Sequence, residues 1–265
     1  MTKSSILFLI SAAVLVLVIS VFSLSPASPD GPARRKAVVV ELFTSESCSS
    51  CTPADDLLGR LRGAPAAGGA EVIPLEFHVD YWNHLGWQDR FSSSAFTSRQ
   101  EMYATRFRLD GPYTPQMVVD GGQEFIGSSS REAREAIARA VVRPEEAEVQ
   151  LSFSAAGKLS VHVKGLIPGA AGEVMLAVTE DNLSTSVGGG ENSGHVLHHA
   201  AVVRELRTLG QLGQLKDGRF ETEAAIQPVR DWKLNDLRVV VFVQPASRNA
   251  RPRSPGPQCP EAAED

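Results

Sequence analysis

Residues 37–61 read AVVVELFTSESCSSCTPADDLLGRL, and the parsing of this stretch decides the fold. Ala37–Phe43 is a short, Val-rich apolar run, which suits a buried strand. The serines that follow can cap a helix, and Pro53 fits a first helical turn. Asp55 and Asp56 favour a helix N-terminus, where the partial charge is positive. Leu57, Leu58 and Leu61 then recur at helical spacing. The stretch is strand, turn, helix, and the C-x-x-C pair Cys48 and Cys51 sits where the strand feeds the helix.

Working outward, residues 63–69 form a Gly/Ala/Pro loop and Glu71–Val79 (EVIPLEFHV) reads as a second strand. Asp80–Arg90 is an aromatic, polar insert, and Ser92–Arg108 has the composition of a helix with serines near its start. Gly111–Pro115 is a loop, Gln116–Val119 a short strand, and Asp120-Gly121 a turn that returns Gln123–Ile126 as a hairpin partner. Ser128–Val142 is a helix with capping serines, ended by Pro144; its Arg131–Arg139 charges read as a solvated face. Strand–helix–strand, a helical insert, a hairpin and a last helix imply a mixed sheet with flanking helices.

Beyond residue 146 the texture changes. Val149–Phe153, Leu159–Val163, Glu173–Thr179, His198–Leu206, Phe220–Ala225 and Leu237–Gln244 are short alternating or Val-rich segments separated by turn residues. This pattern predicts an all-β, sandwich-like region over 147–246.

The N-terminus carries Lys3, an apolar run from Ile6 to Leu24, then Ser25-Pro26-Ala27-Ser28. This reads as an export signal. The run over residues 6–24 also meets the length of an uncleaved membrane anchor. Both readings put the bulk of the chain outside the cytoplasm, in the periplasm or beyond. Removing residues 1–27, whose one charge is Lys3, takes the net charge from −5 to −6. A net negative chain without a dominant basic patch is no nucleic-acid binder. The predicted organisation is a signal or anchor (1–27), a linker (28–36), an α/β domain (37–146), the β region (147–246) and a disordered tail (247–265). The tail holds the third cysteine, Cys259, in a Pro-rich context.

Three cysteines are too few for a disulfide framework, so the pair at 48 and 51 points to chemistry. A thiolate is the reactive form, and a helix N-terminus stabilises it. Cys48 is nearer the strand and expected to be the more exposed, hence the nucleophile. Cys51, one turn on, would resolve a mixed disulfide. Strand, C-x-x-C, helix and a later Thr114-Pro115 before a short strand together read as a thioredoxin-like redox site.

Phe43–Asp55 (FTSESCSSCTPAD), His78–Asp89 (HVDYWNHLGWQD), Tyr113–Gly121 (YTPQMVVDG) and Glu191–Gly194 (ENSG) resemble an uncharacterised secreted family. That thioredoxin-like family is catalogued as domain of unknown function 1223. The resemblance covers most of the chain. It implies a thioredoxin-type fold over residues 37–145 and a cis-proline at Pro115 facing the thiols. Thr114 would then be turned outward to pair with an extended substrate. The chain departs from the general thioredoxin pattern in having Ser49 and Ser50 between the thiols, with no cation there. Glu46, two residues before Cys48, would oppose thiolate formation, so only modest acidification is expected.

Other residues carry competing readings. Glu41 interrupts an apolar strand, either as a buried carboxylate moving protons for Cys51 or, by preference, as a solvent-facing residue at a sheet edge. Cys48, Cys51, His78 and His84 could form a thiolate–imidazole copper or zinc site, as in a copper chaperone, although no second C-x-x-C or H-x-x-x-H completes a four-ligand set. Tyr81, Trp82 and Trp87 could line a groove or pack the insert on the sheet, and Asp80 most simply caps a turn. His195, His198 and His199 look like a metal cluster, but they do not all share one face of a strand, and a polar loop beside a strand is the preferred reading. Gly188-Gly-Gly before Glu191-Asn192 is a flexible loop. No Gly-Lys-Ser/Thr follows, so it is no phosphate loop, and no cofactor is expected.

The expected function is thiol–disulfide exchange on an unidentified exported protein, reset by an unidentified redox partner. The alternatives are a non-catalytic binding module stapled by a static disulfide, and a copper chaperone.

Overall fold

The computed structural model describes residues 36–246, apart from 63–68, 145–146, 155–156, 168, 214 and 216. The expected signal or anchor, nearly all of the linker, and the tail with Cys259 lie outside the described residues.

The quoted stretch folds as read: β1 (Ala37–Thr44), a tight turn, then α1 (Thr52–Leu61). β2 (Glu71–His78) runs parallel to β1 in full register from Ala37↔Glu71 to Thr44↔His78. α2 (Ser94–Phe107) starts at Ser93, whose side chain accepts from the Ala95 N–H, satisfying one of the free donors of the first turn. β3 (Gln116–Val119) pairs antiparallel with β1, and β4 (Gln123–Ile126) closes the hairpin. α3 (Ser130–Val141) is capped by Ser129.

The later segments are β5 (Glu148–Phe153), β6 (Lys158–Lys164), β7 (Gly172–Glu180), β8 (Leu183–Ser186), β9 (Val196–His199), β10 (Val202–Gln211), β11 (Phe220–Ala225) and β12 (Leu237–Pro245). Three of them extend the first sheet, whose order is β12-β7-β10-β2-β1-β3-β4. The remaining long strands form a second sheet, β11-β6-β5, and β8-β9 is a separate hairpin. The architecture is thus a mixed α/β, thioredoxin-like region followed by a β region of sandwich character. The two regions share one sheet.

Alternation along the strands assigns the faces. Val38, Val40 and Leu42 of β1 pack with Leu57 and Leu58 of α1 and Ile137 of α3. On the opposite face Phe43, Leu75 and Phe77 pack with Phe96 and Tyr103 of α2, and with Ala177 and Val203 from the β region. Farther along the sheet, Val174, Leu176 and Val178 of β7 bury Leu159, Val161 and Val163 of β6. They are out of phase with Ala177, so β11-β6-β5 lies on the α1/α3 side. β10 meets β2 only at Val202↔Glu76, where the Glu76 N–H donates to the Ala201 carbonyl. Pro74, two residues earlier, has no N–H to offer toward β10. The single-bridge seam is why a proline is tolerated inside this sheet.

Candidate functional site

β1 delivers the chain into the turn Ser45–Cys51. There the Cys48 N–H donates to the Ser45 carbonyl and the Cys51 N–H to the Cys48 carbonyl (3.1 and 3.2 Å). Cys51 is the N-cap of α1, and its carbonyl accepts from Ala54 and Asp55. Cys48 and Cys51 are joined as a disulfide. The Thr114–Pro115 peptide is cis, as the resemblance implied. Thr114 Oγ1 lies 3.5 Å from Cys48 Sγ and accepts a 2.8 Å hydrogen bond from Trp82 Nε1. Ser50 Oγ is 3.3 Å from the same sulfur. Gly127 lets these parts meet: a Cβ there would lie 3.2 Å from both Ala54 Cβ and Pro115 Cβ, and 2.8 Å from Leu42 Cδ1.

The expectation of an exposed Cys48 is overturned. Both cysteines are fully buried, while Ser49 and Ser50 between them are exposed. The cover is the loop joining β8 to β9. Asn192 Nδ2 donates to the carbonyls of Glu46 (2.9 Å) and Cys48 (3.2 Å). Glu191 Oε2 accepts from both the N–H and the hydroxyl of Ser49 (2.9 and 2.8 Å). The glycines have a steric role here, since a Cβ on Gly189 would lie 2.3 Å from the Gly86 carbonyl oxygen.

Beside the disulfide turn lies a buried polar cluster that sequence reasoning did not assemble. Glu76 and His78 alternate with Leu75 and Phe77, and so project from β2 on the α1 side. Glu76 Oε1 is 2.9 Å from both His78 Nε2 and His199 Nδ1. Its other oxygen accepts from the Ala200 N–H. The far nitrogen of each imidazole meets a second carboxylate: His78 Nδ1 is 2.6 Å from Asp89 Oδ2, and His199 Nε2 is 3.3 Å from Glu46 Oε1. Trp87 Nε1 donates to Glu46 Oε2, and Thr44 Oγ1 to Asp55 Oδ1. Glu76 and His78 are wholly buried and His199 nearly so.

The electrostatics follow from this packing. Burial opposes every charge, but the carboxylates flanking His78 more than offset it, and that imidazole sits well above its ordinary value. His199 is likewise raised to about 9, burial being outweighed by Glu76 and Glu46. Glu76, buried but flanked by His199 and His78, falls to about 2. Asp55 rises to about 8, because burial and the nearby Glu76 charge exceed the help of Thr44.

Several expectations change here. Glu46 does carry a charge near the thiols, but its carboxylate is taken up by Trp87 and His199. Burial is outweighed by that imidazole, and its carboxyl lies below its ordinary value. Glu41 is not at a sheet edge, because β1 lies between β2 and β3. It is buried on the α2 face, where it accepts from Arg99 Nε (2.6 Å) and the Tyr103 hydroxyl (2.5 Å). α1 lies across the sheet, so Glu41 is not aimed at Cys51. The set Cys48, Cys51, His78 and His84 is not brought together, since the sulfurs are bonded to each other and His84 is exposed. The polar loop expected for the three histidines is corrected: His198 and His199 lie in β9, His195 and His198 are exposed, and His199 is core. Trp82 and Trp87 do more than pack, because each indole N–H serves the site. Asp80 fastens α2 by accepting from Thr97 Oγ1 (2.5 Å). The spacing Glu76-x-His78 inside an apolar strand was the one sequence sign of the cluster.

Among curated proteins, none matches the chain. Its fold is similar to the crystal structure of a protein from Agrobacterium tumefaciens, with a TM-score of 0.59 and 26% identity. That likeness covers 73% of this chain and 80% of the other. The family model described as "Protein of unknown function (DUF1223)" matches residues 39–244, and the chain belongs to that family.

Proposed function

We propose that this chain is an exported thiol–disulfide oxidoreductase acting on an unidentified extracytoplasmic protein through Cys48 and Cys51. The observation that carries the reading is the disulfide at the N-terminus of α1, with Thr114-Pro115 against Cys48. In the reduced form the Cys48 thiolate attacks one sulfur of a substrate disulfide, and the substrate's other sulfur leaves as a thiolate. Cys51, once deprotonated, then attacks Cys48 in the mixed disulfide. The substrate departs as a dithiol and the Cys48–Cys51 bond reforms. Run backwards, the same steps oxidise a substrate dithiol. The positive end of α1 lowers the cost of the Cys48 thiolate. Because both sulfurs are covered, exchange requires the Glu191–Asn192 loop to lift. The apolar run over residues 6–24 supports export, as a signal or as a membrane anchor.

Equilibration of the protein with a graded glutathione series tests this. The fraction reduced should follow one two-electron transition, and Cys48→Ser should abolish turnover of a model disulfide. No exchange anywhere in the accessible range would sink the proposal. Complete burial of the pair favours a second reading, a static staple in a binding module. A staple would lose thermal stability when either cysteine is replaced and would never turn over.

A further inference from the structure

We propose that Glu76, His78 and His199 form a binding site for one divalent transition-metal ion of the zinc class, separate from the disulfide. Each of the three offers a donor atom within 4.8 Å of the other two, and Glu76 Oε1 is 2.9 Å from both His78 Nε2 and His199 Nδ1. Two imidazoles and one carboxylate are the donor set that zinc and its neighbours in the first transition row accept. A tetrahedral ion would take a fourth donor, water or another oxygen. At bonds of about 2.0–2.2 Å tetrahedral donors stand farther apart than the present 2.9 Å, so an ion would spread Glu76 Oε1 from both imidazole nitrogens.

The surroundings fit an ion better than they fit a random buried network. Each histidine that points one nitrogen at Glu76 presents the other to a carboxylate, Asp89 for His78 and Glu46 for His199. That carboxylate–histidine–metal arrangement fixes the ring and its tautomer and raises ligand basicity. Glu76 Oε2 is held by the Ala200 N–H, so Oε1 is the oxygen left to ligate.

The second observation lies on the side of His199 away from Glu76. Glu46 Oε1 and His199 Nε2 are both buried and, among the described residues, neither has a hydrogen bond of good geometry, although they are 3.3 Å apart. A metal on Nδ1 would keep the ring proton on Nε2, where it faces Glu46 Oε1. His199 is on β9 while Glu76 and His78 are on β2, so the ion would bind the hairpin to the sheet.

The proposal does not rest on the redox reading, since no sulfur is a ligand. The test uses the full chain with its disulfide intact, dialysed against zinc and then against cobalt as a spectroscopic probe. One ion per chain is expected, with cobalt d–d bands and no thiolate-to-cobalt charge transfer. His78→Gln and His199→Gln should lose the ion, and Asp89→Asn should weaken it about 10–100-fold. Cys48→Ser/Cys51→Ser and His195→Ala/His198→Ala should keep it. If the cluster variants fail to fold, 15N NMR of histidine side chains in the unsubstituted protein decides. Zinc should move two of the six imidazoles, those of His78 and His199. No bound ion, loss of the ion with the cysteines, or shifts confined to His84, His162, His195 and His198 would each overturn the site. Failure of glutathione exchange alone would leave it standing.

Discussion

At the scale of single residues, the access of solvent to Cys48 depends on two side chains across the chain from it. Asn192 and Glu191 together hold the Glu46 and Cys48 carbonyls and both polar groups of Ser49. Asn192→Ala should therefore raise the rate at which a phosphine reduces the disulfide, with little change in the equilibrium potential. Glu191 gives the same latch a pH dependence. The Ser49 N–H and hydroxyl hold its carboxyl below the ordinary value of 4.5. A lowered carboxyl stabilises the closed loop above that ordinary value and loses the contribution as pH falls through its own lower one. Phosphine reduction should accelerate as the solution is acidified below about pH 4.5, and Glu191→Gln should remove that acceleration. A pH profile unaltered by the substitution would exclude the latch. Glu41 makes a different case, because it is buried against Arg99. Arg99→Leu leaves that carboxylate uncompensated and should cost about 3–5 kcal/mol in urea unfolding. Glu41→Leu/Arg99→Leu should recover much of the loss, since it removes both charges together.

At the scale of elements, the β8–β9 hairpin is what turns an open thiol site into a covered one. Its loop passes so close to the Asp80–Arg90 insert that Gly189 has no room for a side chain. Gly189→Ala should push the loop off the disulfide turn, costing about 1–3 kcal/mol of stability as an overpacked contact does. It should also speed reduction of the disulfide, which a thermal melt and a phosphine time course would measure together. Stability lost with an unchanged reduction rate would mean that the loop does not gate the sulfurs. β2 has the complementary task of presenting Glu76 and His78 to the hairpin on one face while Leu75 and Phe77 fill the α2 core on the other. Alternation makes this division automatic, so one strand serves a dry core and a charged cluster at once.

At the scale of the molecule, the α/β region and the β region are joined by one sheet. β10 lies beside β2, and Ala177 and Val203 help to close the core over Phe43 and Phe77. A chain ended after residue 146 would expose those rings and lose the cover of the disulfide. Expression of residues 36–146 alone should give a poorly dispersed amide spectrum and a broad, weak thermal transition. A sharply folded fragment would show that the first region is self-sufficient.

The local grammar of the chain was enough to find its helices, most strands and the thiol pair. Val-rich runs, Ser caps, Pro53 and the Asp120-Gly121 turn act through neighbours in sequence, and neighbours in sequence are what a sequence displays. Gln116–Val119 and Gln123–Ile126 fell where their alternation and turn put them. The short β8 and the break between β9 and β10 were not legible, because their strand character comes from packing against distant residues. The site divides in the same way. Cys48, Cys51, Thr114 and Pro115 could be named from motif and resemblance, since local order of strand, turn and helix brings each to the same end of the sheet. Asp89 and Asn192 lay in motifs of the resemblance, but their meeting with Glu76 and His199 could not be read, because these come from a strand, an insert and a hairpin as many as 123 residues apart. Local order was enough to place a thiol pair at the start of a helix in a thioredoxin-like fold. The cover over that pair, and the buried carboxylate shared by two histidines, arise only when the chain is folded. Burial and long-range charge pairing belong to the folded chain, and no local pattern encodes which distant side chain will fill a given space.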